Sequence, residues 1–373
     1  MTRLIHLADY RHPRTGSFIP ALHSVLSAAR ERGWKAEAVF PAGDGAALSW
    51  IDSFVDAGIP TRFVPGDSHR ARAEWISRLL DEDADEPTIL HTHFTTFDVS
   101  TAMAARGRPR TKVIWHEHTA LSDSPDVVAR NVVKFGLVGR TVEMILCPAP
   151  DLAKAVRRRL GARSRVVFLP NAIDVEKFKP MTAADRSATR AELDIPADAP
   201  VLLNFAWHWE VKGGDIFAAA LDRVHDTRPE IIGLLVSEDA RARRLSTDAE
   251  ALAAGPRVLP PRTDVRGLYA ATDLFVAPSR AEGGTPYAVL EAVASEVPVV
   301  ASRIPGHTFI CDGLDSCLTV PAGPAAIGAA IEQALAAPPS PAALRAGRER
   351  VVSDFDLSIW SGRLIDIYLG LLA

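Results

Sequence analysis

Short apolar runs rich in β-branched residues alternate along the chain with stretches whose apolar residues recur at helical spacing. "RLIHLAD" (3–9), "KAEAVFP" (35–41), "PTILHTH" (87–93), "KVIWHEH" (112–118), "MILCPA" (144–149) and "RVVFLPN" (165–171) are of the first kind and predict strands. "PALHSVLSAARERGW" (20–34) is of the second. Leu22, Val25, Leu26 and Ala29 share one helical face there, and Gly33 stops the helix. A polar, Ala-rich stretch bracketed by prolines (180–200) interrupts the rhythm and reads as a linker with a short helix. The rhythm then restarts with "VLLNFA" (201–206), a helix near 213–226, "IIGLLV" (231–236), "RVLP" (257–260), "DLFVAP" (273–278), "VPVVAS" (297–302) and "SCLTV" (316–320). The tail, "FDLSIWSGRLIDIYLGLLA", predicts a long amphipathic helix. Such alternation builds a parallel sheet with helices on both faces. Its repetition predicts an α/β chain of two doubly wound sheets with a cleft between them. Ligands of open α/β sheets lie outside the carboxyl ends of the strands, so functional residues are expected just after strands.

Composition narrows the function. A length of 373 residues suits two domains, and 47% hydrophobic with 24% charged residues suits a globular chain. The net charge of −4 gives no global reason to expect nucleic acid as a partner. Cys147, Cys311 and Cys317 lack metal-like spacing, and their scarcity fits a reducing cytoplasm. "MTRLIHLADYRHPRTG" lacks the apolar core of a secretory signal, and no stretch approaches the roughly 20 apolar residues of a membrane helix. A cytoplasmic location is therefore expected. The basic stretch 154–167 reads first as a solvated helix face and second as a peripheral contact with the inner face of a membrane. No G-x-G-x-x-G follows a strand, which argues against a dinucleotide dehydrogenase.

The richest chemistry lies in "PSRAEGGTPYAVLEAVASEVPVVAS" (278–302). A strand ends, Arg280 to Thr285 form a loop, and a helix follows with Thr285 as its expected N-cap and Pro286 in its first turn. A Gly-rich loop at a helix start exposes amides that suit phosphate or other ligand oxygens. Phosphate repels the carboxylates of Glu282 and Glu291, which suit hydroxyl donors instead. Phosphate together with hydroxyls describes a sugar nucleotide. Taken alone, Gly283 and Gly284 also read as a simple turn and Glu291 as a solvated helix residue.

The segment "EGGTPYAVLEAVASEVPVVASRIPG" resembles the donor-site signature of retaining glycosyltransferases of the GT-B architecture, glycosyltransferase family four. The resemblance implies that Glu291 holds the ribose hydroxyls and that Glu282 lies near the donor sugar, with Gly283 and the amides of Gly284 and Thr285 beside it. Eight residues separate the two acids where the family usually has seven. Either the loop carries an insertion or Gly283 occupies the place of the first acid. "NFAWHWEVKGGDIFAAAL" (204–221) resembles the family's G-R-x-x-x-x-K-G loop. Lys212 matches the lysine on the diphosphate, where a fixed cation stabilises the charge of the leaving group. Trp207 replaces the arginine, and His208 or Arg280 is expected to supply its charge. Lys212 stands near a helix start, unfavourable for a cation, so an anion is expected to compensate it. Trp207 and Trp209 read first as packing or cleft lining. "PNAIDVEKFKP" (170–180), with Asn171 and Asp174 as turn formers, resembles the interdomain segment. "GLYAATDLFVAPS" (267–279) also fits the family pattern, and Pro261 and Arg262 fall where its base-binding backbone lies.

In the first half, "TILHTHF" and "KVIWHEHTA" resemble the family's strands. His118 aligns with its active-site histidine, which contacts the donor sugar. His116 and His93 are expected on the acceptor side, with Arg14 of the cationic loop "RHPRTGSFIP"; Gly16 alone stands where the family has a glycine pair before its first helix. His91, His93, His116 and His118 form two H-x-H pairs, a pattern that also suits a metal. No metal is expected, because the second-half motifs supply charge without one. Acceptor recognition is expected in the loops near 10–18, 42–48 and 92–130.

The resemblance implies an acceptor-binding Rossmann-like domain at 1–180 with a returning helix at 356–373, and a donor-binding domain at 181–355. It implies transfer of a hexosyl group, with retention and without a cofactor, from a UDP- or GDP-sugar to a hydroxyl of a glycan, lipid-linked or natural-product acceptor. Lys212, Glu282 and His118 are the expected catalytic residues. Two other readings are a GT-B sugar-nucleotide epimerase and a non-catalytic nucleotide-sugar-binding protein.

Overall fold

The computed structural model describes the chain except residues 13, 44–47, 49, 119–123, 161–164 and 246–254. It divides into two units, Met1–Ala172 with Leu357–Ala373, and Ile173–Asp356. The first unit holds a seven-stranded sheet of β1 (Arg3–Ala8), β2 (Lys35–Pro41), β3 (Thr61–Val64), β4 (Thr88–His93), β5 (Thr111–His116), β6 (Met144–Cys147) and β7 (Val166–Phe168), in the order β3-β2-β1-β4-β5-β6-β7. The second holds a six-stranded sheet of β8 (Val201–Phe205), β9 (Ile232–Val236), β10 (Arg257–Leu259), β11 (Leu274–Ala277), β12 (Val299–Ser302) and β13 (Cys317–Val320), in the order β10-β9-β8-β11-β12-β13. All neighbours pair in parallel. The two doubly wound sheets are those expected from the apolar rhythm. Strand β3 was not. It lies at a sheet edge and exposes Phe63, so it carries no clean apolar run.

The strand order reverses beside β1 and beside β8, each flanked on one side by the next strand in sequence and on the other by a later one. Such switch points open a crevice at the carboxyl ends of the strands. The crevice of the first unit lies between β1 and β4, that of the second between β8 and β11.

Each sheet is covered on both faces, so its strands read as continuous apolar runs. In β1, Leu4 and Ala8 pack toward the helices Phe18–Glu31 and Leu357–Leu372, and Ile5 and Leu7 join the opposite core. The tail helix buries Trp360, Leu364, Ile365 and Tyr368 in the first unit. In the second unit, a capping box between Thr182 and Asp185 starts the helix Ala183–Glu192. Arg190 on that helix is buried, bonding the carbonyls of Pro196, Ala197, Ala199 and Ala271 and the carboxylate of Asp273. Ile173 donates its amide to the Phe355 carbonyl, so the two ends of the second unit run side by side. No helix among the described residues is long and apolar enough to cross a membrane.

Under the first sheet, Lys134 places its ammonium 2.6 Å from Asp98 and 2.5 Å from Glu117, with both carboxylates buried. Burial pushes the Glu117 carboxyl up to about 7, against the pull of Lys134. Removing the cation strands two buried acids. Lys134→Met is expected to lower unfolding free energy by about 3–5 kcal/mol, measured by urea denaturation; a loss below 1 kcal/mol would mean the triad behaves as a surface pair.

Candidate functional site

In the second unit, three loops converge after β8, β11 and β12. The chain turns through residues 207–212 and enters the helix Gly214–His225 at Gly213, whose φ is +67°. A Cβ on Gly213 would lie 2.3 Å from the Pro278 carbonyl oxygen, and one on Gly214 would lie 2.5 Å from the Trp209 ring. The β8 loop therefore touches the β11 loop through bare backbone. Beside this contact the Lys212 ammonium lies 2.5 Å from a carboxylate oxygen of Glu282. Glu282 is thus the compensating anion that the position of Lys212 requires.

The third loop adds His307. Gly306 packs so closely that a Cβ there would lie 3.0 Å from the Gly284 carbonyl and 3.1 Å from the Glu282 Cβ. His307 is fully buried, with Nε2 at 3.6 Å from the second Glu282 oxygen. Its Nδ1 lies 2.9 Å from the Ser302 carbonyl, which only accepts, so Nδ1 carries a proton. Ser302 Oγ, 3.1 Å from the same nitrogen, donates onward to the Ser279 carbonyl. Burial by itself raises the Glu282 carboxyl, but His307 and Lys212 outweigh it and hold it at about 2.

Glu291 lies on the helix Tyr287–Ala294 and is buried. The Tyr269 hydroxyl, 2.9 Å away, donates to its Oε2. Burial and the neighbouring carboxylate keep that phenol protonated, well above its ordinary value. The cap differs from expectation: Pro286, with ψ of 117°, is the N-cap, and Thr285 is a buried loop residue before it. The extended conformation of Pro286 moves the helix start one position onward. Gly283 and Gly284 lie in the loop before them, Gly284 buried.

The expected cations are distributed differently. Arg280 forms a bidentate pair with Asp215 at 2.8 and 2.6 Å and also bonds the Glu210 carbonyl. It clamps the turn that carries Lys212. Arg262 pairs with Glu192 at 2.7 Å. His208 is exposed, and its carbonyl accepts from the Lys212 amide. Trp207 stacks on Phe205 at 6.1 Å and 8°, while Trp209 is buried beneath Gly214.

In the first unit, histidines gather at the ends of β1, β4 and β5. Register sets His6 beside His91, and His93 beside His116. His6 Nδ1 lies 2.9 Å from His93 Nε2, and His93 Nδ1 lies 3.0 Å from His118 Nε2. His116 stacks on His118 at 4.4 Å. The Tyr368 hydroxyl lies 2.6 Å from His91 Nδ1 and 3.1 Å from His6 Nε2. Burial lowers every one of these imidazoles: His6 and His118 to about 3, and His91, His93 and His116 well below their ordinary value. All five are neutral at pH 7. Arg14 and Gly16 lie in the loop after β1, where the Tyr10 hydroxyl donates to the Arg14 carbonyl and a Cβ on Gly16 would meet that hydroxyl at 2.8 Å. Residues 13, 44–47 and 119–123 of the expected acceptor loops lie outside the described residues.

His6, His307, Tyr269 and Tyr368 are the functional candidates that sequence patterns missed. His6 had one available signal, since it shares with His91 the alternation that faces one side of the sheet.

Comparisons with known proteins agree with the sequence. Residues 21–177 match the model described as Glycosyltransferase Family 4, and residues 199–337 the model described as Glycosyl transferases group 1. The chain is 26% identical over 256 residues to a GDP-mannose-dependent monoacylated alpha-(1-6)-phosphatidylinositol monomannoside mannosyltransferase of Corynebacterium glutamicum, covering 62% of this chain and 63% of that protein, less than two thirds of its length. It is 28% identical over 310 residues to a D-inositol 3-phosphate glycosyltransferase of Xylanimonas cellulosilytica, covering 80% and 69%. The crystal structure of Anabaena HepE in complex with UDP superposes with a TM-score of 0.83 at 18% identity, covering 99% of this chain and 100% of that one. That likeness establishes the GT-B fold.

The Glu282 cluster has a pH signature. The folded carboxyl titrates at about 2 against an ordinary value of 4.5. A depressed acid stabilises fully above its unfolded value and loses that contribution as pH falls through the folded one. Wild type should therefore exceed Glu282→Gln by on the order of 3 kcal/mol at pH 7, and denaturant titrations should show the gap closing as pH falls from 4.5 toward 2. A gap that stays constant over that range would mean that Glu282 is not held as an ion pair.

Proposed function

The chain belongs to the family four glycosyltransferases, and on that premise we propose that it moves a sugar, with retention at the anomeric carbon, from a nucleoside-diphosphate sugar to an acceptor hydroxyl. The observation that carries this reading is the Lys212–Glu282 pair, set at the switch point of the second sheet where the β8 and β11 loops touch. Bond cleavage leaves a nucleoside diphosphate whose negative charge grows, and a cation already in place stabilises it without reorganising. One Lys212 N–H bond is directed to Glu282, and an ammonium has two more for phosphate oxygens. The Gly284 and Thr285 amides, ahead of the helix Tyr287–Ala294, add donors at the positive end of its dipole. Glu282 aims the ammonium, with His307 on its other side. Glu291, oriented by Tyr269, accepts from the ribose hydroxyls.

UDP- and GDP-sugars are the proposed donors. HepE is described with UDP, and the corynebacterial mannosyltransferase is named for GDP-mannose. Both named enzyme relatives act on inositol-bearing phosphorylated compounds, which supports a polyol or glycan hydroxyl, lipid-linked or free, as acceptor.

Thermal-shift screening of UDP-, GDP-, ADP- and TDP-sugars should single out one base by a rise in Tm. Titration calorimetry of that donor should then show Lys212→Ala and Glu291→Ala each binding about 10- to 100-fold more weakly, the loss of a charge-assisted hydrogen bond. Unchanged affinity in both variants would place the donor elsewhere.

A further inference from the structure

Two strand ends of the first unit carry histidines on one side of the sheet, and each has a neighbour in sequence tied to a single ammonium on the other side. At the end of β4, Thr92 donates its hydroxyl to Asp98, the first residue of the helix Asp98–Ala104. Just beyond β5, Glu117 turns its carboxylate the same way. Lys134, on the helix Pro125–Gly136, lies 2.6 Å from Asp98 and 2.5 Å from Glu117. His93 follows Thr92, and His118 follows Glu117. Alternation along the extended chain sends those two imidazoles to the opposite side, where His93 Nδ1 and His118 Nε2 lie 3.0 Å apart.

Fold stability gives little reason for this ion triad. Well-packed apolar residues of the same volume often replace buried ionic groups without loss, or with a gain. Burial raises the Glu117 carboxyl from 4.5 to about 7, against the pull of Lys134. An acid raised in this way binds its proton more tightly folded than unfolded, so it makes the fold less stable as pH climbs from the unfolded value to the folded one. The ionised form of Glu117 is therefore a burden on folding that Lys134 offsets in part.

We infer that Glu117, held by Lys134, is a positioning residue for His118. The inference rests on the reading of His118 as the active-site histidine of a glycosyl transfer. The pairing of β5 with β6 ends at the Glu117 amide, 3.0 Å from the Leu146 carbonyl, and His118 lies one residue further. Besides His93, the His118 ring meets His116 at 4.4 Å and Phe94 at 4.6 Å between centroids. Ring contacts limit rotation of a side chain but do not by themselves fix the backbone that carries it. The bond from Glu117 to Lys134 anchors that backbone from the other side. Lys134 also holds Asp98, and through it Thr92, so one cation sets the heights of both strand ends and hence the spacing of the imidazole pair. The tie is stiff because its surroundings are apolar: the ammonium lies 4.6 Å from the Phe135 ring centroid and 5.4 Å from that of Trp115. Among the described residues, Lys134 and Asp98 are the charged groups facing Glu117; the Cys147 thiol of β6, kept protonated by burial, lies within electrostatic reach.

Glu117→Gln keeps the shape of the side chain and a hydrogen bond to Lys134 while removing the charge. With the donor singled out by thermal shift, and above a pH of about 7, this variant should lose about 10- to 100-fold in kcat. Its donor KM should stay within about twofold and its Tm close to that of the wild type. Ring-¹⁵N histidine spectra, assigned with His118→Gln, give a readout independent of turnover. In the wild type the His118 signals should step as pH passes about 7, although its own imidazole titrates at about 3; in Glu117→Gln the step should vanish. A merely structural triad would alter Tm and leave kcat and those signals alone. If no sugar nucleotide supports transfer by the wild type, the reading of the function fails and the ring signals still decide the coupling. If Glu117→Gln fails to fold, the wild-type titration decides. Absence of the step in the wild type, its persistence in the folded variant, or an unchanged kcat in that variant would overturn the proposal and leave the triad as a support of the fold only.

Discussion

A positive side chain near the amino end of a helix is repelled by the backbone dipole, and the second unit is organised around meeting that cost. Lys212 stands just before the helix Gly214–His225, and Glu282 reaches it from the next strand of the sheet. The meeting requires loops closer than side chains permit. Gly213 against Pro278, and Gly306 against Gly284 and Glu282, supply that closeness. Arg280, bonded to Asp215, then locks the turn from outside. A charged pair, two bare backbone contacts and one surface clamp thus set a single ammonium at the mouth of the crevice.

The first unit handles polarity differently. Lys134 compensates two buried acids below its sheet. Above the strand ends, neutral imidazoles contact one another and Tyr368, and some of their nitrogens meet nothing. Glu117 lies between His116 and His118 in sequence yet faces Lys134, because alternation along an extended segment sends neighbours to opposite sides. The same backbone stretch therefore serves an ion triad on one side and the histidines on the other.

Most of the fold was legible because buried parallel strands are nearly continuous apolar runs, as "LIHLA" and "VLLNF" show. The half-exposed β3 has no such signature. The site was legible in part. "EGGTPYAVLE" and "EVKGG" marked both loops, and the helix dipole called for an anion beside Lys212, but seventy residues separate that lysine from Glu282 and no local pattern names the partner. His307 follows Gly306 with no periodicity to distinguish it, and its role is visible only once the β12 loop packs on the β11 loop. The two H-x-H pairs were conspicuous, whereas His6 joins them only through strand register.

The last helix carries a consequence for biosynthesis. Trp360, Leu364, Ile365 and Tyr368 complete the core of a unit whose other residues precede position 173. A ribosome therefore finishes the entire second unit before it delivers the piece that closes the first. The nascent amino-terminal sheet must wait with one apolar face only partly covered, by the helix Phe18–Glu31, while the later-made unit has everything it needs to fold ahead of it.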